Sequence, residues 1–219
     1  MVNVICLGDS YTNNWKKISS DKFKICKVVG IPGKTAQGLN KQRNQDLFIQ
    51  KVSEEPDIIL LNFGEVDCAY TIWKRKEKFK TSLEEEINYA VSGILKLAKN
   101  FNDKKIILSS PIIPLVKDYN NYKRRSFKKV KFIETARKLR ASITASLQER
   151  TLLVLSFQVI LLDKAIKKNY KFITMNEELL EPSTNQIKKE YKNLGYGWHL
   201  PTTITTPLLK NKLEILLNE

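Results

Sequence analysis

The 219-residue sequence has one histidine, His199, so imidazole chemistry has a single place to sit. Its three cysteines, Cys6, Cys26 and Cys68, are odd in number, and none has CxxC spacing. That pattern argues against a disulfide framework or a thiolate metal site and for free thiols in a reducing compartment. No apolar run approaches the roughly 20 residues that span a bilayer. The opening Met1-Val2-Asn3 lacks the basic region of a secretory signal, so the expected location is cytoplasmic. Internal repeats, low-complexity tracts and linkers are missing too, which leaves residues 1–219 as one expected domain, large enough for a sizeable core.

Acidic residues are few relative to basic ones: 23 against 38, for a formal charge of +15. Such a balance attracts polyanions, whether an acidic polymer or an anionic membrane face. It also arises when lysines simply cover solvated faces, and the basic residues here are spread along the chain. The densest patch is Lys123, Arg124, Arg125, Lys128, Lys129 and Lys131. The aromatic–basic interleaving of a nucleic-acid module is missing, so specific nucleic-acid recognition is not expected.

The sequence does contain an alternation of apolar runs and helical patterns. Strands are expected near 3–7, 23–29, 57–63, 104–109 and 151–157. The run Ile58-Ile59-Leu60-Leu61 has no polar alternation, as suits a strand covered on both faces of a parallel sheet. Helices are expected over 36–52 behind a Thr35 cap, over 83–100 behind a Ser82 cap, over 159–168 and over 203–217. A long basic helix is expected over 127–150, with Val130, Ile133, Ala136, Leu139, Ile143 and Leu147 on its buried face. The fold class is therefore α/β with a mainly parallel five-stranded sheet. In such sheets ligands bind beyond the C-terminal strand ends.

Four short blocks converge on that edge. The first strand ends in Gly8-Asp9-Ser10, and the second runs into Gly30-Ile31-Pro32-Gly33. The third ends in Gly64-Glu65-Val66-Asp67, and Trp198-His199-Leu200 precedes the last helix. A serine is a poor nucleophile without a base, and His199 is the base on offer. Asp9 is suited to hold its own turn by accepting backbone N–H groups. Glu65 and Asp67, two apart on a turn, are read as organising that loop rather than as a glycosidase pair. Trp73 and Trp198 are candidates either to stack on a sugar ring or to pack at the mouth of the site.

The ordered set of blocks resembles the SGNH/GDSL hydrolase superfamily of esterases, lipases and carbohydrate deacetylases. The resemblance implies a flavodoxin-like three-layer sandwich, no metal and no organic cofactor. It implies Ser10 as nucleophile and His199 as general base. The N–H groups of Ser10 and Gly33 would be oxyanion donors, with Gly30 as the alternative glycine. The implied substrate is an O-acyl ester, acetyl above all, of a carbohydrate or other small molecule. Two positions depart from the family pattern. Val66 stands where the family has an asparagine donor, and Tyr196 stands where it has the aspartate that orients the histidine. Gly-Glu-Val-Asp-Cys resembles a variant block from a branch associated with polysaccharide modification. A Ser–His dyad, a substitute acceptor such as Glu65, Asp67, Glu177 or Glu181, acyl transfer to another hydroxyl, and a degenerate glycan- or polyanion-binding site all stay open on sequence.

Overall fold

The computed structural model describes residues 1–52, 55–114, 135, 138–191, 200 and 202–218. Five strands form one sheet: β1 (Val2–Gly8), β2 (Phe23–Gly30), β3 (Ile58–Asn62), β4 (Lys105–Ser109) and β5 (Lys171–Ile173). Their spatial order is β2-β1-β3-β4-β5 and every pairing is parallel. The helices are α1 (Gln42–Ile49), α2 (Ile72–Phe79), α3 (Leu83–Lys99), α4 (Leu147–Lys167), α5 (Asn176–Leu179) and α6 (Thr202–Asn218). A short antiparallel hairpin pairs β6 (Leu180–Glu181) with β7 (Gln186–Ile187). The expected α/β sandwich is therefore present, with helices flanking a five-stranded parallel sheet.

Local chemistry explains the boundaries. Every residue of β3 is buried, as its unbroken apolar run requires. Ser82 accepts the Glu85 N–H while the Glu85 carboxylate accepts the Ser82 N–H, a reciprocal cap that starts α3. Thr35 accepts the Gly38 N–H at 2.9 Å, but it leads into a 3-10 turn over Gln37–Asn40, and α1 starts only at Gln42.

The fifth strand is a correction. Residues 151–157 lie inside α4, and β5 comes later at Lys171–Ile173. The run Thr151-Leu-Leu-Val-Leu-Ser-Phe looks like a buried strand because it is almost continuously apolar. The deciding signal is a second Ser-x-x-Glu box, Ser146 to Glu149, which opens a helix of 21 residues. That box also ends the expected 127–150 helix: residues 138–141 are helical, and a link runs from there up to Ser146. On that segment Leu139 is 40% exposed, not buried. The basic cluster from Lys123 to Lys131 lies outside the described residues, as do Val130, Ile133 and Ala136.

The buried apolar side chains form one continuous cluster around the sheet, with Phe157, Leu153 and Leu161 contributed by α4. Cys6 and Cys68 are buried free thiols and Cys26 is a half-buried one on β2. Burial pushes the Cys6 and Cys68 thiols well up, away from thiolate reactivity.

The helical assignment of 151–157 has a direct test. Phe157 is fully buried, whereas its near neighbour Val159 is 65% exposed. Phe157→Ala is expected to lower unfolding free energy in urea by about 3–5 kcal/mol. Val159→Ala should change it by less than about 0.5 kcal/mol. Equal effects would contradict the assignment.

Candidate active site

β1 delivers Ser10 to the C-terminal edge of the sheet. Asp9 caps the 3-10 helix Ser10–Lys17, its Oδ1 accepting the Tyr11 N–H at 3.0 Å. Its Oδ2 accepts the Glu65 N–H at 3.1 Å, so one buried carboxylate ties the serine turn to the turn after β3. The Asp9 N–H donates to the Asn62 carbonyl at 3.2 Å, and the Thr12 hydroxyl donates to the same oxygen at 3.0 Å. Ser10 itself is half-buried. Asn13 Nδ2 donates to the Ser10 carbonyl at 3.0 Å. Gly30 is where that amide packs, since a Cβ there would meet Asn13 Nδ2 at 2.6 Å.

Asp67 makes a second clamp of the same kind. Its two oxygens accept the N–H groups of Ala36, at 2.7 Å, and Gln37, at 3.1 Å. It thereby anchors the loop that carries Gly33. Gly33 is exposed and has φ +74°, a left-handed backbone conformation that favours glycine. Gly64 has φ +113°, and an added Cβ would lie 2.9 Å from the Phe157 ring, so α4 seats directly on this turn.

Glu65 meets a residue of the segment expected as a basic helix. Arg140 Nη2 donates to both Glu65 oxygens, at 3.0 and 3.1 Å, and both residues are buried. Arg150, in the first turn of α4, donates to the carbonyls of Ala145 at 3.0 Å and Ile143 at 2.6 Å. It thus fixes the link that carries Arg140. Nothing in the periodicity marks these two arginines as interior. Their signal is indirect: a Ser-x-x-Glu cap at 146–149 turns the chain back after Arg140.

Trp73 is half-buried and its indole N–H donates to the Cys68 carbonyl at 2.8 Å, bracing a π-helical turn over Asp67–Thr71. Val66 is half-buried at the start of that turn and offers no side-chain donor. A small cleft beside the serine turn is lined by Tyr11, Glu65, Arg150, Ile112, Ile113 and Val154 among others. His199, Tyr196 and Trp198 lie outside the described residues. Leu200, next to His199, is buried in the core. Among the described residues no cluster of histidine, cysteine and carboxylate side chains could hold a metal ion. Glu177 and Glu181 are exposed.

The electrostatics arise from burial. Asp9 is held well above the usual carboxylate range, first by burial and then by the charges of Glu65 and Asp67. The Tyr11 and Glu65 N–H bonds oppose that rise. Asp67 is pushed up to about 6, again mainly by burial, against the pull of the Gln37 and Ala36 N–H groups.

No family model and no curated protein matches this sequence. Solved structures do match it in shape. A Bacteroides fragilis protein assigned as an acylhydrolase superposes with a TM-score of 0.59 at 16% identity, over 99% of this chain and 86% of that one. A GDSL-like lipase from Bacteroides thetaiotaomicron gives 0.53 at 17% identity, over 97% and 88%. The acetyl xylan esterase AlAXEase gives 0.52 at 17% identity, over 98% of both chains. At these identities the likeness establishes the fold, which is that of the SGNH/GDSL hydrolases.

The raised Asp67 pKa sets a pH dependence of stability. The folded state holds this proton up to about pH 6, whereas an unfolded aspartate releases it near pH 3.9. Between those values the native state binds more protons, so stability falls as pH rises through the window. The full Asp67 share is about 3 kcal/mol. Urea melts from about pH 4 to about pH 7 should show a shallower decline in Asp67→Asn than in the wild type. Parallel curves would refute the assignment.

Proposed function

We propose that the chain is a serine esterase of the SGNH type, hydrolysing a small O-acyl ester through Ser10 and His199. The observation that carries this reading is the direction of α6. Its C-terminal end lies at the N-terminal edge of the sheet, where Lys22 Nζ donates to Asn218 Oδ1 at 3.1 Å and the Val2 N–H donates to the Lys22 carbonyl. The helix packs along the 3-10 helix that begins at Ser10. Seventeen residues of α helix extend about 25 Å, comparable to the length of β1. From that end α6 runs back toward Thr202, and His199 stands three residues before Thr202 in sequence.

In this mechanism Ser10 Oγ attacks the ester carbonyl while His199 takes its proton. The N–H groups of Ser10 and Gly33 receive the oxyanion. Collapse passes the proton from His199 to the departing alcohol and leaves an acyl-enzyme. Water, deprotonated by His199, then releases the acid and frees Ser10. No metal or organic cofactor takes part in these steps. An acetylated sugar is the proposed substrate class, in keeping with the acetyl xylan esterase among the matching structures.

The test is covalent labelling by a small fluorophosphonate, with p-nitrophenyl acetate as the turnover substrate. Labelling is expected in the wild type and lost in Ser10→Ala. Turnover should fall by at least about 10³-fold in both Ser10→Ala and His199→Ala. Turnover that survives Ser10→Ala would sink the reading.

A further inference from the structure

Helix α4 is apolar on two opposite faces. Its inner face places Leu153, Val154, Phe157, Leu161 and Ala165 in the core. Its outer face carries Leu152, Leu155, Val159, Leu162 and Ile166, spaced three, four, three and four residues apart. Four of these five are open to solvent, at 50, 65, 36 and 70% for Leu152, Val159, Leu162 and Ile166, and Leu155 is half-buried. That spacing is the a/d repeat of a helix–helix seam. A surface helix of a folded domain normally carries charge there.

We propose that this stripe is a self-association surface, on which α4 packs antiparallel against α4 of a second copy of this chain. Three features select that occupant. The seam is a single straight row over about 21 Å, which fits one helix and offers no groove for an extended peptide. Its ends carry opposite charge: Glu149 stands in the first turn, and Lys164 and Lys167 in the last. An antiparallel pair sets each acidic end beside the partner's basic end and opposes the two helix dipoles, whereas a parallel pair sets like against like. Beside the stripe lies Asp163, which pairs with Lys167 at 2.8 Å and Lys164 at 3.3 Å. Asp163 offsets one of these two lysines, so the stripe lacks the dense flanking positive charge by which an amphipathic helix holds an anionic membrane, the rival occupant of a cationic protein's apolar face.

A five-residue seam is smaller than the roughly 800 Å² per partner of a stable dimer, so the association is weak and reversible. Each copy also carries a formal charge of +15. Long-range repulsion between copies is screened as the Debye length shortens from about 10 Å at 0.1 M salt to about 3 Å at 1 M. Salt therefore tightens this interface, opposite to its effect on binding a polyanion.

Sedimentation of the full chain over about 5–500 µM is expected to show a reversible monomer–dimer equilibrium, tighter at high salt. Val159→Glu and, separately, Leu162→Lys should leave only monomer while keeping wild-type circular dichroism. Orientation is read by disulfide trapping, which needs Cα atoms within about 7 Å. Val159→Cys, at the midpoint, should cross-link to itself. Leu152→Cys should not, yet it should cross-link when mixed with Ile166→Cys. A monomer throughout the range at both salts overturns the proposal, as does a dimer that survives both charge variants. Self-cross-linking of Leu152→Cys would overturn the antiparallel arrangement. Flotation with phosphatidylserine vesicles that is lost in Val159→Glu would assign the stripe to a membrane instead.

Discussion

Two buried carboxylates hold the edge of this sheet together. Asp9 accepts N–H groups from the turns after β1 and β3, and Asp67 accepts two from the segment after β2. A parallel sheet leaves its strand ends as separate loops, each with unsatisfied backbone donors. One aspartate can satisfy two such donors and fix their spacing, which neutral side chains do less strongly. The arrangement is strained electrostatically: burial raises both pKa values, and Glu65 adds to the rise. The geometry of Ser10 and Gly33 is thus maintained at some expense of stability, as is common where a fold presents a site.

Glu65 and Arg140 extend this framework outward. The carboxylate belongs to the turn tied by Asp9, and the guanidinium to the segment before α4. Removing one partner would strand a buried charge, so the pair acts as a constraint even where it adds little net stability. Arg150 then anchors Arg140's segment through backbone carbonyls. The chain of contacts runs from Asp9 through Glu65 and Arg140 to α4, which also seats Phe157 on Gly64.

The legible parts of the sequence are those decided locally. The apolar runs of β1, β3 and β4, the Ser82 capping box and the Gly-Asp-Ser turn all depend on neighbours a few residues away. The α4 segment reads as a strand because two apolar faces remove the helical period and leave a continuous run, the pattern of a buried strand. Only the Ser146–Glu149 box distinguishes the two, and it sits at the end of a segment whose own period points to a longer helix. Arg140 and Arg150 are illegible for a different reason. Their partners are 75 residues away in one case and backbone carbonyls in the other, and neither leaves a trace in composition or spacing.

The departures at Val66 and Tyr196 bear on the proposed chemistry through this same network. The carboxylates at the strand edge are already engaged: Asp9 and Asp67 by paired N–H groups, and Glu65 by Arg140. Reorienting any of them toward a histidine would release donors in the buried interior, at about 1–3 kcal/mol for each group left unsatisfied. A carboxylate substitute for Tyr196 therefore does not come from these three without dismantling the frame that holds Ser10. Glu177 and Glu181 are exposed, and their charge is screened by solvent. With these three engaged, the proposed mechanism is that of a Ser10–His199 dyad. Such a site loses stabilisation of the imidazolium while keeping backbone oxyanion donors. It is best matched to activated or small acyl esters, whose alcohols leave without full assistance from a charged triad.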